Sequence, residues 1–289
     1  MRPYARVVRR LFAATALALG TALTATIAPV AWAQPPVEPA GTVVAPPDGP
    51  AQAWLVADLD SGKVLGSRDP NVPRAPASTI KPLLAMVVLD HLNPNSFARA
   101  NQSHTQVECS CVGLEPGQAY TTTQLLAGLL MVSGNDAANM LADMLGGQRA
   151  AVAAMNAKAQ SVGARSTRVS SPSGLDGPGW ETLTTPYDLA LIYRQALKYP
   201  LIAQIFRSPT ASFPGKGGGP KELDAQNELL TRYPGDFAGK TGFTDLARKT
   251  LVTAAQRNGR RLLVVLMYGT GDLYGQAISL FDWGFSQPA

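Results

Sequence analysis

Apolar and polar positions follow two different rhythms along this chain, and the rhythms are segregated. Residues 54–59, the turn Asp60-Ser61-Gly62 and residues 63–65 read as a β-hairpin bounded by turn formers. Near the other end, residues 249–255 and 261–268 are dense in β-branched and aliphatic side chains and flank Asn258-Gly259, a strong hairpin signal. Between the hairpins the spacing turns helical, over residues 79–92, 122–132, 136–145, 148–162 and 186–198, with Thr185 as N-cap and Pro186 in the first helical position of the last. Residues 272–283 form a final helical segment. Strands from both chain ends with helices between them predict an α+β fold, an antiparallel sheet built from the two ends and interrupted by a helical insertion, and not a doubly wound order.

The first 33 residues change the picture of charge and location. Arg2, Arg6, Arg9 and Arg10 form a basic start, residues 11–30 are rich in Ala, Leu and small side chains, and Ala31-Trp32-Ala33 presents the small residues an export peptidase needs. This reads as a secretory signal over residues 1–33 cut before Gln34, with an uncleaved membrane anchor as the alternative and Arg9-Arg10 as a loose twin-arginine hint. The formal charge of +5 owes four of its cations to that segment, which has no acid. The remainder is nearly balanced, so no nucleic-acid partner is expected. Residues 34–51 are proline-rich, predicting an extended linker, and residues 52–289 are expected to fold as one domain. The chain shows neither a further C-terminal domain nor a second apolar span, so a tether to a membrane is expected only from its N-terminal segment.

Three short motifs carry chemistry. Ser78-Thr79-Ile80-Lys81 lies where a polar loop meets an apolar helical run. If Ser78 opens that helix, Lys81 shares its face one turn on, and a desolvated lysine amine can take a serine proton. Ser133-Gly134-Asn135 interrupts two helical stretches 55 residues after Ser78, and Lys240-Thr241-Gly242 precedes the second hairpin. Each alone has an ordinary reading: Ser78 as an N-cap with a solvated lysine, a helix break capped by Asn135 or Asp136, and a strand end with Lys240 at the surface. In this order, in an exported chain, they follow the set used by penicillin-binding proteins and class A β-lactamases, with Gly134 where the second motif of that set has Asp.

The sequence resembles the low-molecular-mass serine D-alanyl-D-alanine carboxypeptidases from about Gln52 to Phe285. Supporting stretches are residues 76–81, Gly113-Leu114-Glu115-Pro116-Gly117, residues 125–139, Ser173-Gly174-Leu175 and Lys240-Thr241-Gly242-Phe243-Thr244-Asp245. The resemblance implies a serine β-lactamase/transpeptidase-like fold. It also implies that Ser78 attacks peptidoglycan stem peptides ending in D-Ala-D-Ala, with Lys81 as base and Ser133 as proton relay. Asn135, Lys240, Thr241 and Gly242 would hold substrate, and the backbone N–H groups of Ser78 and Phe243 would receive the oxyanion. β-Lactam antibiotics would acylate Ser78, and no metal or organic cofactor is implied. Two departures stand out: Ala247-Arg248-Lys249 replaces the usual Ala-Gly, and no basic residue follows the last strand, which leaves Arg248 as a candidate carboxylate anchor.

Cys109 and Cys111, two apart, either form a disulfide across a local turn or remain thiols. His91 and His104 have no triad setting, and both read as surface residues. Among rival readings, a class A β-lactamase would need a deacylating glutamate, for which Glu181, Glu222 and Glu228 are available but without the expected asparagine. A related glutaminase has no positive support, and a silent penicillin-binding sensor has no need of a lysine poised beside a serine.

Overall fold

The computed structural model describes residues 44–288. Residues 1–33, read as an export signal, and the first part of the linker lie outside the described residues. The elements run β1 (Ala51–Asp58), β2 (Val64–Arg68), a 3-10 turn (Ala77–Ile80), α1 (Lys81–His91), β3 (Phe97–Arg99), α2 (Gln102–Thr105), β4 (Ala119–Thr121), α3 (Thr122–Met131), α4 (Asn135–Met144) and α5 (Gln148–Ser161). They continue with α6 (Pro186–Ala196), α7 (Pro200–Arg207), β5 (Thr210–Pro214), β6 (Pro220–Asp224), α8 (Leu229–Arg232), β7 (Asp236–Thr244), β8 (Arg248–Arg257), β9 (Arg260–Gly269) and α9 (Leu273–Ser286). The α+β arrangement expected from the pattern is the one observed.

One antiparallel sheet, ordered β2-β1-β9-β8-β7, joins the two ends of the chain. Its middle strands are apolar on both faces because both faces are covered. Leu55 on β1, Val252 on β8 and Leu263, Val265 and Met267 on β9 pack towards the helical insertion. Trp54, Val56, Leu262, Val264 and Leu266 point the other way, onto α9 through Leu280 and Phe281. The two-residue period of the strands thus splits one hydrophobic run into two cores. At roughly 1.5–3 kcal/mol for each fully buried aliphatic or aromatic side chain, these layers dominate what holds the sheet in place.

The insertion is more varied than its periodicity predicts. Two small sheets, β3-β4 and β5-β6, and the helix α7 interrupt it. The insertion is tied to the central sheet by buried polar bonds as well as by apolar packing. Tyr193 Oη on α6 donates to Thr79 O at 2.9 Å, and Thr250 Oγ1 on β8 donates to Pro76 O at 2.9 Å. Both grip the 3-10 turn that carries Ser78, so strand β8 and helix α6 each hold one end of it.

Candidate active site

Ser78 does not open a helix as expected. It sits inside the 3-10 turn, and Lys81 is the first residue of α1. The difference favours contact, since residues three apart eclipse in a 3-10 turn, and Lys81 Nζ lies 2.6 Å from Ser78 Oγ. Ala77, immediately before, holds φ at 49°, a left-handed conformation that costs a non-glycine residue on the order of 1–3 kcal/mol. The surrounding bonds to Pro76 O and Thr79 O hold the turn in that shape.

Helices α3 and α4 meet at Val132-Ser133-Gly134, where Ser133 is likewise left-handed at φ 64°. That kink points Ser133 Oγ to within 3.4 Å of Lys81 Nζ. Helix α4 then starts at Asn135 with Gly134 as N-cap, and neither Asn135 nor Asp136 serves as the side-chain cap that the sequence suggests. Asn135 Oδ1 accepts from Lys81 Nζ at 2.7 Å, and its Nδ2 donates to Glu108 O at 2.6 Å. Asp136 accepts from the backbone N–H groups of Val112, Gly113, Leu114 and Ala137 at 2.8–2.9 Å. Its buried carboxylate thereby anchors residues 112–114 beside the site.

The fourth neighbour of Lys81 is Ser173 O at 2.9 Å. Gly174 follows at φ 84°, and a side chain there would collide with the carbonyl of Ala77. The glycine therefore lets this loop close over the 3-10 turn. Strand β7 makes the same kind of approach through Gly242, whose position would put a Cβ 2.8 Å from Ser78 N. β7 is an edge strand, so its outer backbone groups face the cleft instead of another strand.

The partners of Lys81 decide its chemistry. Asn135 Oδ1 and Ser173 O can only accept, so they take two N–H bonds. A neutral amine has two N–H groups and one lone pair, and with those two occupied the lone pair faces Ser78 Oγ. Lys81 is fully buried, and burial, followed by the positive charge of Lys240, holds its pKa well below the ordinary lysine range, with Asp136 opposing. Lys240 is itself buried, which lowers it to about 7, and its Nζ donates to Thr241 O at 2.8 Å.

Ser78, Ser133, Asn135, Thr241, Gly242 and Phe243 share one cleft of about 320 Å³. These six residues from the three motif regions converge on the cleft; Lys81 lies buried against Ser78, and Lys240 lies buried next to Thr241, outside the cleft lining. Gln226, Glu108 and Ser110 also line the cleft. Thr241 Oγ1 donates to Gln226 Oε1 at 3.4 Å. These three escape sequence reasoning because nothing in their local pattern marks them. Cys109 and Cys111 are bridged, with Cα atoms 4.8 Å apart, and Cys109 lines the cleft. Glu181, Glu222 and Glu228 do not line it.

Arg248 and Lys249 are both exposed at the β7–β8 turn, and of the two only Lys249 lines a separate cavity of about 290 Å³ beside Thr241 and Gly242. His91 is exposed, but the reading of His104 as a surface residue is corrected. It is buried in the capping box of α2, where Nδ1 accepts from Asn101 N at 3.1 Å and Nε2 faces Asp143 Oδ2 at 3.3 Å. Among the described residues no group of three or more His, Cys, Asp or Glu side chains could hold a metal ion, and no helix is long and apolar enough to cross a membrane.

A serine and a desolvated lysine facing one cleft, on a sheet formed by both chain ends, make this a serine hydrolase of the penicillin-binding and transpeptidase fold. The Streptomyces K15 DD-transpeptidase has that fold, matching at a TM-score of 0.80 and 26% identity over 84% of this chain and all of that one. The family model for D-alanyl-D-alanine carboxypeptidases matches residues 40–271, and the chain belongs to that family. It is 56% identical to the D-alanyl-D-alanine carboxypeptidase DacB2 of Mycobacterium tuberculosis over 260 residues, covering 88% of this chain and 89% of the relative. A crystal structure of D-alanyl-D-alanine carboxypeptidase from the same organism superposes with a TM-score of 0.83 at 56% identity, over 87% of this chain and 97% of that one.

Proposed function

We propose that the chain removes the terminal D-alanine from peptidoglycan stem pentapeptides through an acyl-enzyme on Ser78, and that β-lactams acylate the same oxygen. The observation that supports this best is the 2.6 Å contact between Lys81 Nζ and Ser78 Oγ, with Asn135 Oδ1 and Ser173 O on the same nitrogen; in the neutral amine those two acceptors take both N–H groups and leave the lone pair for Ser78. Ser78 passes its proton to Lys81 Nζ as Oγ bonds to the carbonyl carbon of the penultimate residue. The oxyanion that forms is received by the backbone N–H groups of Ser78 and Phe243, and each such donor lowers the barrier by about 3 kcal/mol. When the C–N bond breaks, the departing nitrogen takes a proton from Lys81 through Ser133 Oγ, and free D-alanine leaves. Water then adds to the ester by the reverse proton route and returns Ser78. Thr241 and the positive Lys240 hold the substrate carboxylate, and Asn135 keeps Lys81 and the substrate backbone in register.

The enzyme acts outside the cytoplasm in this reading. Residues 1–33 direct export, residues 34–51 act as a spacer, and residues 52–289 meet cross-linkable stem peptides in the cell wall. The test is release of D-alanine from a synthetic pentapeptide ending in D-Ala-D-Ala. Wild type is expected to release one D-alanine per peptide, and Lys81→Met to release it at least 1000-fold more slowly, since loss of the base leaves serine unactivated. Equal rates for the two proteins would overturn the assignment of Lys81.

A further inference from the structure

Residues 108–110 line the cleft and residues 111–114 lead away from its lining, and the two halves of this segment are held very differently. The later half is anchored by buried groups: Asp136 accepts from Val112, Gly113 and Leu114, and Lys221 Nζ donates to Val112 O at 2.8 Å. The earlier half leans on the site itself. Asn135 N donates to Ser110 O at 2.6 Å, Asn135 Nδ2 donates to Glu108 O at 2.6 Å, and Ser110 Oγ donates to Val132 O at 3.2 Å. The disulfide between Cys109 and Cys111 is the side-chain link between the two halves among the described residues.

These contacts matter because the Asn135 carboxamide can be turned either way. Lys81 needs Oδ1 inward, and a carbonyl facing the other end of the amide selects that orientation, since a carbonyl accepts from Nδ2 and repels Oδ1. Glu108 O is that carbonyl. Residues two apart in an extended strand lie roughly 6.6 Å apart, at about 3.3 Å per residue, whereas Cys109 and Cys111 have Cα atoms 4.8 Å apart. The bridge curls the chain so that the carbonyls of Glu108 and Ser110 converge on one residue. A ring this small removes little freedom from an unfolded chain, so its effect on global stability is small and its effect on local geometry large.

We propose that the Cys109–Cys111 disulfide is a positioning element for catalysis, holding the Glu108 and Ser110 carbonyls on Asn135 so that acylation of Ser78 depends on the bridge. The proposal rests on the assignment of Ser78 and Lys81 above. A dithiol reductant would open the bridge, its own two thiols becoming a disulfide while Cys109 and Cys111 each gain a hydrogen. Cys109 is exposed in the cleft, where such a reagent can reach it. Residues 112–114 would stay on Asp136, and residues 108–110 would loosen.

The experiment compares the rate of acylation by a fluorescent penicillin for the full chain, oxidised and reduced, and for the double variant Cys109→Ser/Cys111→Ser. The same comparison is made in an Asn135→Ala background, with thermal unfolding measured throughout. Opening the bridge is expected to slow acylation roughly 10- to 100-fold, the effect of misplacing a reacting group by about an ångström. Reoxidation should restore the rate, the thermal transition should persist, and in Asn135→Ala reduction should slow the residual rate no further. An unchanged rate on reduction would overturn the proposal. So would equal slowing in both backgrounds, or loss of the thermal transition, because the bridge would then act elsewhere than on Asn135. An oxidised wild type that takes no penicillin fails before any reduction and overturns the functional reading itself, with the proposal falling alongside it.

Discussion

Asn135 Oδ1 accepts from Lys81 Nζ at 2.7 Å, and this one bond joins the second motif of the sequence to the first. Replacing Asn135 with aspartate keeps the shape and adds a negative charge beside the amine. An opposite charge at that distance favours the ammonium form, so the pKa of Lys81, held low by burial, should rise. Acylation by penicillin in Asn135→Asp is expected to fall near neutral pH and to recover in part as pH is raised and the amine is deprotonated, the part that does not recover reflecting loss of the bond from Asn135 Nδ2 to Glu108 O. A pH–rate profile of acylation checks this, and a profile superposable on wild type would contradict it.

Lys240 should destabilise the fold that it equips for binding. In the unfolded chain its amine keeps a proton up to its ordinary pKa of 10.5, whereas in the fold burial lowers the pKa to about 7. Between those values the unfolded state binds more protons, so stability from this residue rises with pH across that window, and the penalty is fully present below 7. Lys240→Met is therefore expected to be more stable than wild type near pH 6, by on the order of 1–3 kcal/mol, with the gain shrinking towards pH 10. Denaturant melts at the two pH values measure it. Substrate affinity should fall in the same variant, because the cation that draws the carboxylate is gone.

Glycine at 242 is required by proximity and not by an unusual backbone angle. Gly242→Ala would place a methyl 2.8 Å from Ser78 N and 2.5 Å from Thr250 Oγ1, pushing β7 off the 3-10 turn. Acylation should drop about 100-fold, as expected for displacement of roughly an ångström at the reacting atoms. Comparing the acylation rate and thermal midpoint of the variant with wild type separates this local effect from unfolding.

Two cations at the β7–β8 turn compete for the role of carboxylate anchor. Arg248 is the one the sequence suggests, but Lys249 is the one that lines the cavity beside Thr241, where its Nζ donates to Gly271 O at 3.1 Å. Lys249→Ala is expected to raise KM for the peptide about 10-fold with little change in kcat, as loss of a ground-state charge contact would. Arg248→Ala is expected to leave both constants within about twofold, since Arg248 lines neither the cleft nor that cavity. The reverse pattern would assign the anchor to Arg248.

Much of the scaffold is legible in the residue pattern because it follows simple periods. The long hairpin of β8 and β9 and the helices from α3 to α6 lie within a few residues of the ranges that periodicity predicts. The three motifs are legible for another reason: each is local in sequence, so its residues are recognisable before anything is known of their distance in space. What stays hidden depends on non-local contact. Asp136 looks like a helix cap and is the anchor for backbone more than twenty residues upstream. His104 looks like a surface histidine and is buried because a four-residue helix folds its ring back onto Asn101. The β5-β6 hairpin escapes the pattern, since its strands are largely exposed and bracket the glycines at 215 and 217–219.

The central claim is that Ser78 Oγ is the nucleophile, and intact-mass spectrometry of the protein mixed with benzylpenicillin tests it most directly. Wild type is expected to gain one penicilloyl group that persists over the time course, and Ser78→Ala to gain none. An adduct of equal yield on Ser78→Ala would contradict the account, because the bond would then form on another residue.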